Sequence, residues 1–177
     1  MNEFIDTDKI TTTWIENLAL EEINMEESGI INMNDHLNPV HFLEESSINF
    51  MNQVRDRFEV YIQKFNQYRS NSASHAQIKM FKISNTVNDF MLFRNSLRLI
   101  FSRKANNLIT IGFLANGKDL YAPRVSEGDS FGTGPVHEVE AKIGAFNKIT
   151  WNFQGEIVDI DAMVRHYLSE FIRQSAR

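Results

Sequence analysis

The chain has 177 residues, 42% hydrophobic and 23% charged, a mixture that supports a folded core and excludes an intrinsically disordered chain. It contains no cysteine, which excludes disulfides, thiolate metal sites and cysteine nucleophiles. The net charge of −5 divides unevenly: Met1–Glu45 carries eleven acidic residues and only Lys9, whereas Ser46–Arg177 carries twelve acidic and seventeen basic residues.

An acidic N-terminal arm over 1–37, with a short helix, is therefore expected to precede a single α+β domain over 38–177. Met1–Asp8 is polar and acidic where a signal peptide has a basic start and an apolar run. No stretch reaches the roughly 20 apolar residues of a membrane span. A cytoplasmic location without membrane contact is the expectation.

In chain order, Thr13-Trp14-Ile15-Glu16 has the form of a capping box, which predicts a helix from Trp14 to about Asn24. Asn38-Pro39 reads as a cap followed by proline at the first helical position. Leu43, Ile48, Met51, Val54, Phe58, Ile62, Phe65 and Tyr68 then recur mostly three or four apart, predicting a long helix over about 39–69. Ser70–Ser74 is a loop by composition.

From Gln77 the apolar period shortens toward two. Segments 77–84, 90–95, 97–103 and 108–114 read as strands, and Asn116-Gly117 as a tight turn leading to a short strand at 119–122. Val139, Ala141 and Ile143, then Ile149, Trp151 and Phe153, alternate with polar residues, giving a half-buried hairpin that turns near Gly144–Asn147. The whole is an antiparallel sheet of about five to seven strands within 77–158. A C-terminal amphipathic helix over about 160–174 closes the chain, started by Asp159 or Asp161, with Ile160, Met163, Val164, Tyr167, Leu168, Phe171 and Ile172 in one unbroken stripe.

Four groups of residues bear on function. Trp14, Leu18 and Ile23 lie on the acidic arm's helix, which either docks on the body or waits for a partner. Arg94, Arg98 and Arg103 belong to a basic, phenylalanine-rich window opposed only by Asp89, a pattern that can neutralise phosphates and stack bases. Strand alternation also explains that window as core phenylalanines with charges on the wet face, and a pI near 5.5 opposes constitutive nucleic-acid binding.

Arg124–Pro135, with Gly128, Gly132 and Gly134, could cradle a phosphate on backbone N–H groups. It lacks the ending of a P-loop, and Glu127 and Asp129 would repel an anion, so a surface connection explains it as well. His137, beside Glu138 and Glu140, makes no recognised metal spacing and reads as a surface strand edge, and His166 as a solvated helix residue.

The leading expectation is a non-catalytic interaction or regulatory protein that binds a protein or a second copy through the acidic arm or the basic sheet face. Nucleic acid is the disfavoured partner, and no cofactor or metal is expected. One alternative is a small-molecule-binding protein with an apolar cavity between sheet and helix, lined by residues such as Met163, Tyr167, Phe171, Trp151 and Phe153. Another is an enzyme using the glycine-rich loop with Asp129, Ser130 and His137.

Overall fold

The computed structural model describes residues 10–29, 39–71, 76–115 and 136–176. The Asn38 cap, the Asn116-Gly117 turn, the strand expected at 119–122, most of the Ser70–Ser74 loop and the whole Arg124–Pro135 loop lie outside the described residues. The chain divides into two units, Met1–Asn38 and Pro39–Arg177.

In the first unit, α1 spans Thr13–Ser28 and none of its residues is buried. The expected capping box is corrected. Thr12 precedes the helix and its backbone carbonyl takes the N–H groups of Ile15 and Glu16, both at 3.1 Å, while its side chain caps nothing. The helix runs past Asn24 because its stop signal is Gly29, whose φ of 66° brings its N–H to the Met25 carbonyl at 3.0 Å.

The second unit is α+β, as its periodicities predict. The long helix α2 (Pro39–Tyr68) precedes seven antiparallel strands: β1 (Lys79–Lys82), β2 (Phe90–Arg94), β3 (Leu97–Ala105), β4 (Leu108–Ala115), β5 (His137–Ile143), β6 (Ile149–Phe153) and β7 (Glu156–Ile157). They lie side by side in chain order, and α3 (Ile160–Ser175) follows. Asn95-Ser96 and Gln154-Gly155, each with two positive φ angles, make the two-residue turns whose twist suits a hairpin. Among the described residues no helix is long and apolar enough to cross a membrane.

Period-two alternation sends Phe90, Leu92, Leu99, Phe101, Ile109, Ile111, Val139 and Trp151 to one face of the sheet. There they join Phe50, Met51, Val54, Phe58 and Ile62 of α2 and Val164, Tyr167, Leu168 and Phe171 of α3 in one buried cluster. Phe90 and Phe101 stack at 4.9 Å between ring centres, and Phe58 meets both edge-on.

Tyr68, expected on the buried stripe, is instead exposed. The last inward turn of α2 is held by Phe65 and Asn66, whose amide exchanges two 2.9 Å hydrogen bonds with the backbone of Ile78. Asp159 does start α3, accepting the Ala162 N–H at 2.9 Å.

Candidate functional site: a cleft at the β5–α3 junction

His137 is the first residue of β5 and shares its inward phase with Val139 and Ala141. It is half-buried: on the β4 side it stands opposite Ile111, whereas the pairing of β5 with β6 runs from Glu140 to Ile143 and stops short of it. That register points the imidazole toward α3. The buried residues of α3 carry two hydroxyls, Tyr167 in mid-helix and Ser175 at the end, and a buried phenol must find a partner.

The two meet: His137 Nδ1 and Tyr167 Oη are 2.6 Å apart. Burial pushes the Tyr167 phenol up to about 12 from its usual 10, so it stays neutral and keeps its proton. A phenol both donates and accepts, so which of the two groups donates in this bond follows the imidazole tautomer. Among the described residues Nε2 has no hydrogen-bond partner. Tyr167 is wedged edge-on against Phe101 at 5.9 Å, and His137 leans on Phe153 at 5.5 Å, so both rings are held by neighbours.

These residues line a half-open cleft of about 330 Å³ with Val139, Phe153, Ile157, Val158 and Met163 as its apolar part. Glu156, Asp159 and His166 supply further polar groups. His166 is exposed, as its helix position predicts, and its ring stands edge-on to Tyr167 at 5.2 Å. A second cleft of about 520 Å³ lies between α2 and β6 and shares Ile157 and Val158 with the first.

The three sequence-selected arginines do not form one basic face. Arg94 points inward and is 5% exposed, donating from Nε to the Ala76 carbonyl at 2.9 Å. Its terminal nitrogen donates to the Ile172 carbonyl at 3.3 Å and Ser175 Oγ at 3.2 Å, and the guanidinium lies 5.3 Å from the Phe65 ring centre. Burial first, and the charge of Arg69 second, lower its pKa below the usual arginine value. Arg103 shares the inward phase of Phe101 and donates to Ser47 Oγ on α2 at 3.1 Å.

Arg98 alone of the three lies on the outer face, half-buried over Phe93 at 6.0 Å, with its Nε buried and unpartnered. Alternation divides these residues because Arg94 and Arg103 fall in phase with the core while Arg98 does not. Trp14, Leu18 and Ile23 are all exposed on α1. Arg124 and Asp129, with Ser130, lie outside the described residues.

No group of three or more histidine, aspartate or glutamate side chains converges as a metal site among the described residues. Comparison with protein-family models, with curated proteins and with solved structures finds no match to this chain. Sequence reasoning overlooked the His137–Tyr167 pair, although two signals were present. His137 shares parity with Val139, and Tyr167 is the one hydroxyl on the stripe that runs from Ile160 to Ile172.

Proposed function

We propose that the protein binds a compact, mostly apolar small molecule in the cleft between β5, β7 and α3. The observation that carries this reading is Nε2 of His137, which has no hydrogen-bond partner among the described residues and stands in an apolar-lined cleft, its ring fixed by a buried, neutral tyrosine. Few polar groups, fixed in orientation, set in apolar walls are what a small-molecule site needs. Glu156 and Asp159 at the lining disfavour an anion, so the ligand is neutral or cationic and carries a group that hydrogen-bonds to imidazole.

The test is ligand-detected NMR with neutral, cationic and anionic aromatic and short aliphatic fragments, run on wild type and on Met163→Trp, which fills the cleft from its half-buried wall. Binding of the neutral or cationic fragments, weakened at least tenfold by the substitution, supports the reading. Equal affinity in the filled variant, or preference for anions, counts against it.

A second reading, protein binding through the acidic arm, is favoured by the exposure of Trp14, Leu18 and Ile23 on a helix with no buried residue. Removal of Met1–Glu27 would then change self-association or partner capture while leaving the unfolding midpoint of the remainder in place. Unchanged association would sink it.

A further inference from the structure

The second cleft is built differently from the first. Its floor is Phe42, Phe50, Trp151 and Ile160. Trp151 is fixed by stacking on Phe50 at 4.9 Å and by donating from Nε1 to Ser46 Oγ at 3.1 Å. One wall is a strand with backbone to spare. Trp151 O accepts the Val158 N–H at 2.8 Å, so Trp151 directs its backbone groups toward β7.

Alternation then turns the N–H and C=O of Ile149 the same way. Among the described residues no strand stands opposite them, because β7 ends at Ile157 and the chain enters α3 at Ile160. On the facing wall, Asn49 and Gln53 stand one turn apart on α2, and neither commits its side-chain amide to another described residue. Each amide offers a donor and an acceptor, the pair a peptide group requires. The one formal charge among the lining residues is Glu45.

We propose that this cleft receives an extended peptide segment of a partner protein. Its backbone pairs with Ile149 on one side and with Asn49 and Gln53 on the other, a bulky apolar side chain lies on Trp151 and Phe50, and a flanking lysine or arginine meets Glu45. Strand addition of this kind draws affinity from main-chain hydrogen bonds and selectivity from the side-chain pocket. The cleft's volume of about 520 Å³ suits a large side chain with its adjoining backbone. The proposal is independent of the small-molecule reading, which rests on the His137 cleft.

The chain has two tryptophans, so Trp14→Phe in the full-length protein leaves Trp151 as the reporter. The probes are capped heptapeptides with a central phenylalanine or leucine flanked by lysines, the same peptides with the two central amides N-methylated, and a glutamate-flanked set. The expected result is a saturable change in Trp151 emission with the lysine set. Binding falls at least tenfold on N-methylation, about fivefold in Asn49→Ala/Gln53→Ala, and several-fold with glutamate flanks.

Circular dichroism of each variant checks that the fold is kept. Two results overturn the proposal: no saturable response to any lysine-flanked peptide, or N-methylated peptides binding as well as the unmodified ones.

Discussion

The two ends of α3 meet the sheet in opposite ways. At the C-terminal end Arg94 is sealed, with three hydrogen bonds to Ala76, Ile172 and Ser175 and the face of Phe65 beneath it. At the N-terminal half His137 is likewise tied to α3, through Tyr167, yet among the described residues its other nitrogen has no partner beside the cleft. A buried polar side chain with satisfied donors fastens the fold, whereas one with a spare atom facing a cleft is available to a ligand.

The contrast can be broken by substitution. Arg94→Ala leaves buried acceptors at Ala76, Ile172 and Ser175 without their donor and removes the contact with Phe65. A loss of about 3 kcal/mol is expected, since each orphaned buried group costs roughly 1–3 kcal/mol before relaxation. It is read as a fall in the urea midpoint at unchanged slope. A loss under about 1 kcal/mol would show that Arg94 is no fastener.

At the open end the expected effect is smaller. Tyr167→Phe removes one hydrogen bond and costs about 0.5–1.5 kcal/mol near neutral pH. Its pH signature is specific. The phenol ionises near 10 when unfolded and at about 12 when folded, so its contribution is fully present below pH 10 and lost as pH rises toward 12. The difference in urea stability between wild type and Tyr167→Phe should therefore shrink between pH 10 and 12, and a constant difference would contradict the buried phenol.

The sequence made the elements legible and the site only in part. The stripe of α3 and the alternation of β5 and β6 are strong periodic signals, so helix, strands and hairpin follow from them directly. The α2 stripe misled only at Tyr68, where a polar residue, Asn66, took the inward turn by bonding to Ile78. Charge composition misled more. Arg94, Arg98 and Arg103 look like one patch along the chain, but their faces are set by strand phase, which sends two of them inward.

The cleft itself arises from long-range register. His137 meets Tyr167 because Phe90, Phe101, Ile111 and His137 stand in one row across four strands, with the Phe101 ring meeting α3 at Tyr167. Local periodicity carries no record of that row, and a lone histidine among glutamates reads as surface until its neighbours on both sides are known.

The most direct test is the His137 imidazole signal during titration of the protein with a neutral fragment that binds it, with the exposed His41 as internal control. A saturable shift at His137, matching the affinity measured by ligand-detected NMR and absent at His41, is the expected result. Binding that leaves the His137 signal unmoved would contradict a ligand site at this cleft.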